Sequence, residues 1–287
     1  MSESLLKSGF ITLVGRSNVG KSTLMNTLVG TKVAAVTEKP QTTRSIIHGV
    51  INDKEGQAII VDTPGILKQK KDTLSSKMIK RVKEALQEVD VVVYVVDPTK
   101  QLGDEERFVL SIVRKIKVPK LLVINKSDVS KDKKKYLEDY LDFAEEFNDV
   151  FQLSALKDKH IEPLKRKIFE LLPVGELMYP DGQITNLSEE EWISEIIREK
   201  IFNALYQEVP YSTHVEVESI EDKEDIILIN ANIYTYDKHY KKMIIGQGGQ
   251  MVKKIGTAAR KELELALNKK IFLQLEVETD RRWEDRI

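Results

Sequence analysis

The segment from Gly15 to Ser22, GRSNVGKS, has the residue types and spacing needed to hold a chain of phosphates. It fits the pattern G-x-x-x-x-G-K-[ST] and follows an apolar run, Phe10 to Val14, that is typical of a strand. The glycines let backbone N–H groups close around phosphate oxygens, and the helix expected next adds a favourable dipole. Lys21 would neutralise the β- and γ-phosphates, and Ser22 would ligate Mg²⁺. The segment therefore predicts a nucleotide site that uses magnesium.

A second segment, DTPG from Asp62 to Gly65, follows another strand-like run, Ala58 to Val61. We expect Asp62 to emerge at a sheet edge near the phosphate loop and to hold Mg²⁺ through a water molecule. Gly65 would offer the γ-phosphate a backbone N–H with no side chain in the way. The distance of this segment from the phosphate loop in sequence strengthens the prediction of a nucleotide site.

A third segment, NKSD from Asn125 to Asp128, selects the base. The carboxylate of Asp128 can accept from both N1–H and the exocyclic amine of guanine, whereas adenine would leave it unpaired and desolvated. Lys126 would lie along the ring face, and Asn125 would tie this loop to the phosphate loop. The backbone of Ser154, Ala155 and Leu156 could contact guanine O6. The base is therefore predicted to be guanine.

A separate site is indicated far along the chain by the sequence GQGG between two amphipathic runs. Seven Lys or Arg and no Asp or Glu occur from Lys238 to Lys261, whereas the whole chain has 45 basic and 46 acidic residues. A charge run is usually only solvated surface, but glycines allow phosphates to approach the loop closely. Together these features predict contact with single-stranded nucleic acid. The predicted RNA-contacting residues are Lys241, Lys242, Ile245, Gly246, Gln247, Gly248, Gly249, Lys253, Lys254 and Arg260.

The elements that must position the nucleotide site follow an α/β pattern. Short β-branched runs alternate with longer amphipathic ones, for example from Met78 to Val89 and from Phe108 to Val113. This alternation predicts a largely parallel sheet flanked by crossover helices. The predicted strands are Phe10–Val14, Ile46–Ile51, Ala58–Val61, Val91–Val96, Leu121–Ile124 and Val150–Leu153.

The composition changes after Leu172, where LPVGELMYPDGQITN has two prolines and two glycines in a polar setting. We interpret this stretch as a linker. Ser188 and Glu191 then form a capping box ahead of an apolar helical stripe, so a helix begins the second domain. The elements predicted after it are strands at His214–Ile220 and Ile226–Tyr234, helices at Lys238–Ile245 and Val252–Leu267, and a strand at Ile271–Glu278.

The length of 287 residues suits two domains, which we place at residues 1–172 and 188–287 with the linker at 173–187. The absence of cysteine excludes disulfides and Cys-type zinc sites, so any metal site must use oxygen ligands. The purest apolar run, Val91 to Val96, is far shorter than the ~20 residues that cross a bilayer. The N-terminus shows no basic leader or cleavage signature, so we expect a cytoplasmic protein.

In this order, GRSNVGKS, DTPG, NKSD and SAL resemble the Ras-like GTPase superfamily, whose fold is a mixed, mostly parallel six-stranded sheet with flanking helices. The phosphate loop together with KPQTTR, Lys39 to Arg44, resembles the branch that includes Era, Der and MnmE. In that branch the second threonine of TTR reaches Mg²⁺ and the γ-phosphate, which implies this role for Thr43, with Thr42 as the alternative. The predicted nucleotide contacts are Gly15, Arg16, Ser17, Asn18, Val19, Gly20, Lys21, Ser22, Thr23, Thr42, Thr43, Asp62, Thr63, Pro64, Gly65, Ile66, Asn125, Lys126, Asp128, Ser154, Ala155 and Leu156.

The position after the DTPG glycine, where Ras-type enzymes carry a water-orienting glutamine, is Ile66. The resemblance therefore implies slow intrinsic hydrolysis, with K⁺ bound through Asn18 supplying the charge that an arginine finger supplies elsewhere. Arg16 and Arg44 are alternatives as internal fingers, although each is more simply interpreted as a solvated arginine. The residues predicted to act in hydrolysis are Asn18, Lys21, Thr43, Asp62 and Gly65, and the predicted metal ligands are Ser22, Thr43 and, through water, Asp62 for Mg²⁺ and Asn18 for K⁺.

Over nearly the whole chain, the GTPase segments, the linker YPDGQITN, the helix IIREKIF and the GQGG-containing domain resemble the Era family of bacterial ribosome-assembly GTPases. The second domain resembles a type II KH domain in its order of elements. The resemblance implies binding of GTP or GDP with Mg²⁺, and binding to the 3′ end of 16S rRNA in assembly of the 30S subunit. It also implies peripheral contact with the cytoplasmic membrane face, and we expect a monomer.

Two alternative functions stay open at this point. One is a related GTPase acting in large-subunit assembly or RNA modification, and the other is a nucleotide-sensing RNA-binding protein with negligible turnover. The chain also departs from the family at Ser17, where proline is usual, which leaves the backbone contacts to phosphate intact.

Overall fold

The computed structural model describes residues 6–37, 47–62 and 89–283. These residues divide into two compact units. The first contains residues 6–34, 47–62 and 89–186, and the second contains residues 187–283 together with residues 35–37. Residues 35–37, which lie far upstream in the sequence, are therefore part of the second unit. The domain boundaries proposed from the sequence had placed these residues in the first domain.

The first unit is built on a six-stranded sheet. Its strands are β1 (Lys7–Val14), β2 (Ile47–Asp53), β3 (Gly56–Asp62), β4 (Val91–Val96), β5 (Lys120–Ile124) and β6 (Asp149–Gln152). Their spatial order is β2-β3-β1-β4-β5-β6, with β2 antiparallel to β3 and every other neighbouring pair parallel. The prediction of a mixed, mostly parallel α/β sheet is confirmed.

The central strands are apolar because they are covered on both faces. All six residues of β4, VVVYVV, are buried, which is the pattern of a strand in the middle of a parallel sheet. The described helices of this unit are α1 (Lys21–Val29), α2 (Asp104–Val113), α3 (Leu137–Leu141) and α4 (Ile161–Leu171). The predicted stripe from Phe108 to Val113 lies on α2, whereas residues 78–88 of the other predicted stripe lie outside the described residues.

Parallel pairing brings the predicted site segments to one edge of the sheet. In the β1–β3 register Leu13 stands beside Asp62, and in the β1–β4 register Val14 stands beside Tyr94. The phosphate loop follows β1, the NKSD segment follows β5, and the SAL segment follows β6. The carboxyl ends of these parallel strands therefore gather loops that are far apart in sequence.

The second unit contains α5 (Glu189–Ala204), β7 (Thr213–Asp222), β8 (Ile226–Thr235), α6 (Lys238–Ile245), α7 (Gln250–Leu267) and β9 (Lys270–Thr279). Its sheet order is β7-β8-β9, with β7 antiparallel and β9 parallel to β8. The predicted capping box is present, since the Glu191 N–H donates to Ser188 Oγ and the Ser188 N–H donates to Glu191 Oε2. None of the helices in the described part of the chain is long and apolar enough to span a membrane.

A buried carboxylate joins residues 35–37 to the rest of the second unit. The Val36 N–H donates to Glu199 Oε2 at 2.7 Å, and Glu199, on α5, is only 4% exposed. The Lys200 ammonium donates to Glu199 Oε1 at 2.8 Å and also pairs with Glu262 of α7. The upstream piece is thus connected to two helices of this unit through Glu199.

Candidate nucleotide site and nucleic-acid interface

The phosphate loop runs between the end of β1 at Val14 and the start of α1 at Lys21. A Cβ atom at Gly15 would lie 2.3 Å from the Val95 carbonyl oxygen, and one at Gly20 would lie 2.3 Å from Asn125 Nδ2. Gly20 also has a φ of 100°, a left-handed conformation that favours glycine. The loop therefore packs so closely on its neighbours that glycine is needed at both ends.

The Lys21 side chain folds back over this loop. Its Nζ donates to the carbonyl oxygens of Gly15, at 3.1 Å, and Arg16, at 2.8 Å, and the residue is 7% exposed. A cationic group beside a helix N-terminus suits an anionic ligand, because its charge and the helix dipole both attract anions. The glycine-lined loop and this ammonium fit the phosphates of a nucleotide.

Asn125 connects three loops at the sheet edge. Its Nδ2 donates to the Val19 carbonyl at 2.8 Å, its Oδ1 accepts from the Ala155 N–H at 3.0 Å, and the residue is 3% exposed. Thr27 of α1 adds a hydrogen bond from Oγ1 to the Ala155 carbonyl at 2.9 Å. The phosphate loop and the two predicted base-contacting loops are therefore held in one arrangement.

The two charged residues of NKSD are also held by neighbours. Ser154 Oγ donates to Asp128 Oδ1 at 2.5 Å, which orients the carboxylate predicted to recognise guanine. Lys126 has a φ of 61°, and its Nζ donates to the Asn18 carbonyl at 3.1 Å and to Asp97 Oδ2 at 2.6 Å. The lysine is therefore tied both to the phosphate loop and to a carboxylate that the sequence reasoning missed.

Asp97 is fully buried directly after β4. Burial raises the pKa of its carboxyl, but hydrogen bonds from Lys126 and from the side chain and N–H of Thr99 outweigh burial and hold the pKa below its usual value. A signal was available, because a carboxylate after a buried strand at the same sheet edge points to the same site.

For the remaining predicted residues of this site, the structure gives mainly their positions along the chain. Asp62 is the last residue of β3, at the carboxyl end of the strand, where it pairs with Leu13 of β1. Ser22 and Thr23 lie in the first turn of α1. Arg16 is ion-paired with Glu106 at 2.5 Å, and Ser17 and Asn18 complete the loop. The predicted residues Thr42, Thr43, Thr63, Pro64, Gly65 and Ile66, together with Arg44, lie outside the described residues.

The glycine turn of the second unit lies between α6 and α7, as the sequence predicted. Gly246 has a φ of 74°, and a Cβ there would lie 2.9 Å from the Met251 nitrogen. Gly248 and Gly249 also have positive φ, and a Cβ at either position would meet no atom within 4 Å. These two glycines leave the start of α7 open to a ligand that approaches closely.

A groove of about 300 Å³ lies beside this turn, between α7 and β9. Its β9 side is apolar, with Leu273 and Leu275, and its α7 side carries the exposed cations Lys253 and Arg260. A Cβ at Gly256 would already lie 3.3 Å from Leu275 Cδ1, so the missing side chain widens the groove. The groove residues are Val252, Lys253, Gly256, Thr257, Arg260, Leu273 and Leu275.

Some of the residues that line this groove were predicted from the sequence to contact RNA, and others were not. Of the apolar residues near the turn, Ile244 and Ile255 are buried in the core and Val252 lines the groove. Gly256 and Thr257 were missed, although they share a helix face with Lys253 and Arg260 at spacings of three and four residues. Of the other predicted RNA contacts, Lys242, Gln247 and Lys254 are exposed, and Lys241 and Ile245 are partly buried.

Each of the two units matches a known protein family. Residues 10–126 match the family described as 50S ribosome-binding GTPase, and residues 208–284 match the KH domain family. GTPase Era of Thermoanaerobacter sp. strain X514 is 44% identical over 97% of this chain and 93% of its own length. The chain belongs to the Era family of GTPases. The Era protein of Carboxydothermus hydrogenoformans is 40% identical, over 98% and 95% of the two chains.

Two solved structures of Era proteins are similar to this chain along nearly its whole length. An Aquifex aeolicus Era variant bound to GDP and AlF4⁻ is 34% identical with a TM-score of 0.86, covering 98% of this chain and 96% of that one. An Era complex with MgGDPNP and nucleotides 1506–1542 of 16S ribosomal RNA is 35% identical with a TM-score of 0.85, at the same coverage. The resemblance to the Era family drawn from the sequence is confirmed.

Proposed function

We propose that the chain is a GTP-hydrolysing switch that binds the 3′ end of 16S rRNA and acts in assembly of the small ribosomal subunit. The observation that carries this proposal is the similarity, along nearly the whole chain, to an Era protein solved with MgGDPNP and a 16S rRNA fragment. The glycine turn and its cationic, apolar-floored groove support an RNA ligand, since single-stranded bases need both phosphate contacts and an apolar surface.

GTP with Mg²⁺ supplies the phosphoanhydride that is cleaved and the metal charge that neutralises it. The chain's own residues bind and orient it. Lys21, whose ammonium is positioned by the Gly15 and Arg16 carbonyl oxygens, would contact the phosphates, while the backbone of the phosphate loop would hold phosphate oxygens. Asp128 recognises guanine and Asn125 keeps the loops together. Ser22, Thr43 or alternatively Thr42, and Asp62 through water are the proposed Mg²⁺ ligands.

The proposed hydrolysis is slow without help and is stimulated by K⁺ bound through Asn18. Ile66 cannot orient water by hydrogen bonding. The resemblance to the branch that includes Era, Der and MnmE implies that K⁺ supplies the charge that an arginine finger supplies elsewhere. Asn18 lies on the exposed rim of the phosphate loop, and its carbonyl is held by Lys126. We expect turnover in KCl to exceed turnover in NaCl, and Asn18→Ala to remove that difference. Equal rates in the two salts would contradict the K⁺ proposal.

The test of the main proposal is single-turnover GTP hydrolysis with and without an RNA containing the 16S rRNA 3′ end. Hydrolysis by the wild-type protein, its loss in Lys21→Ala, and selective binding of this RNA over a scrambled RNA of equal length would support it. Selective RNA binding with no hydrolysis in either condition would instead favour the nucleotide-sensing RNA-binding protein.

A second candidate function is large-subunit assembly. It is favoured by one observation, the description of the matched GTPase family as 50S ribosome-binding. That match covers only the first unit, whereas the Era relatives cover both. Crosslinking in cells followed by sequencing of the bound RNA separates the two, since enrichment of large-subunit rRNA would overturn the small-subunit proposal. A monomeric state, a cytoplasmic location and peripheral membrane contact stay predictions from the sequence.

A further inference from the structure

A fully buried carboxylate lies behind the phosphate loop. Glu106 of α2 is 0% exposed, and side chains from three other parts of the first unit converge on it. Arg16 Nε lies 2.5 Å from its Oε2, the Tyr94 hydroxyl of β4 donates to its Oε1, and the Tyr140 hydroxyl of α3 lies 3.1 Å from its Oε2. A buried charge is costly unless it is paired and hydrogen-bonded, and Glu106 is both.

The two tyrosines hold Glu106 in a fixed place. Burial and the neighbouring Glu106 charge raise the pKa of both Tyr94 and Tyr140, so both hydroxyls keep their protons and can donate. The Tyr140 hydroxyl also lies 3.1 Å from the Lys100 carbonyl oxygen, and its single proton serves one acceptor at a time. The tyrosine hydroxyls on β4 and α3 therefore orient the Glu106 carboxylate, which is carried by α2.

Arg16 connects this network to the phosphate-binding lysine. Its side chain is 13% exposed and is engaged by Glu106, while its main-chain carbonyl accepts from Lys21 Nζ at 2.8 Å. The arginine is thus fixed on one side by a buried carboxylate and holds the lysine on the other. This ion pair also makes Arg16 a poor candidate for an internal arginine finger, because its guanidinium is already occupied.

We propose that Glu106 is a positioning residue for nucleotide binding, which fixes Arg16 and, through the Arg16 main chain, the phosphate loop and Lys21. The proposal rests on the proposed function only in requiring that the phosphate loop binds GTP and GDP. Glu106 itself contacts no phosphate. Its effect is to set the geometry in which loop N–H groups and the lysine meet the ligand.

The first test is Glu106→Gln, which removes the charge and keeps the side-chain volume. We expect affinity for both GDP and a non-hydrolysable GTP analogue to fall by about tenfold, because binding at this loop depends on ångström-scale placement. KM should rise while kcat changes less. Arg16→Met should have the same effect, and the double variant should bind no more weakly than either single variant, because the two residues act as one unit.

The matched control is Glu146→Gln. It removes another arginine–glutamate pair of the same unit, Arg114 with Glu146 at 2.5 Å, but one that is exposed and far from the loop in sequence. We expect nucleotide affinity to be unchanged in this variant, as most exposed ion pairs contribute little.

Three experimental results would each overturn the proposal that Glu106 positions the phosphate loop. Wild-type GDP affinity in a folded Glu106→Gln protein would overturn it, and so would fully additive losses in the double variant. If Glu106→Gln does not fold, Tyr94→Phe and Tyr140→Phe each delete only a hydroxyl, and wild-type affinity in both would overturn it equally. Failure of the wild-type protein itself to bind GDP would overturn the proposed function, which is distinguishable from a loss confined to the variants.

Discussion

Asp97 shows how a residue outside the nucleotide motifs determines their geometry. Its carboxylate is fully buried, yet within the described part of the chain it accepts hydrogen bonds from Lys126 and Thr99, which suit a negative charge. Because Lys126 also donates to the Asn18 carbonyl, Asp97 sets the position of the side chain predicted to lie along the guanine ring. A short neutral residue would leave this lysine without its anionic partner.

We predict that Asp97→Asn weakens GDP binding and lowers the free energy of unfolding by about 1–3 kcal/mol, the usual range for hydrogen bonds to a charged group. GDP binding measured by fluorescence titration and unfolding measured by urea titration check this. Asp132→Asn, at an exposed position of the same unit, is the control and should change neither quantity. Wild-type GDP affinity in Asp97→Asn would refute the role given to Asp97.

The pH dependence of this effect has a definite sign. The pKa of Asp97 is below its ordinary value in the folded protein, so its contribution to stability is complete above the unfolded-state pKa of about 3.9. That contribution is lost as the pH falls through the folded-state pKa. We expect the stability difference between wild type and Asp97→Asn to be constant near neutral pH and to shrink below about pH 4. A difference that grows on acidification would contradict the assignment.

At the scale of elements, α7 and β9 together form the groove beside the glycine turn. At Gly256 the helix lies close to the strand, since a Cβ there would be 3.3 Å from Leu275 Cδ1. We predict that Gly256→Val fills the groove and lowers RNA affinity by roughly tenfold, the contribution of about one stacked base. The helix itself should tolerate valine, since glycine is the weaker helix former.

The matched control for this prediction is Ala258→Val, at an exposed position of α7 that does not line the groove. RNA affinity from fluorescence anisotropy should be unchanged in this variant, and circular dichroism should show both variants folded. Equal losses of RNA affinity in the two variants would mean that the helix as a whole, and not the groove, is affected.

Elements were predictable from the sequence because each has a local pattern. The buried run of β4 and the capping box of α5 were predicted with the bounds that the structure shows, or within a residue or two of them. The partners of those elements were not predictable. Glu106 looks like an ordinary polar residue of an amphipathic helix, and only the fold brings Arg16 and Tyr94 to it. Local patterns report burial of apolar residues, whereas a buried ion pair depends on positions far apart in sequence.

At the scale of the whole molecule, a nucleotide-dependent RNA affinity requires reciprocity. If GTP changes the RNA affinity by some factor, RNA must change the GTP affinity by the same factor. The contact between Val36 and Glu199 is relevant here, because Thr42 and Thr43, which we proposed as alternative Mg²⁺ ligands, come shortly after Val36 in the sequence. Glu199 in turn is linked through Lys200 to α7, which lines the groove.

We therefore predict that Glu199→Ala reduces the ratio of RNA affinities measured with a non-hydrolysable GTP analogue and with GDP, bringing it closer to one. The physical reason is that a ligand shifts an equilibrium only through contacts that differ between its states. We expect the contact between Val36 and Glu199 to be one of these, and Glu199→Ala removes it. Isothermal titration of RNA into each nucleotide complex measures the ratio. Glu190→Ala, at an exposed position of the same helix, should keep the wild-type ratio. If Glu199→Ala keeps it as well, while the wild-type protein shows a ratio different from one, then nucleotide and RNA communicate by a route that does not include this carboxylate.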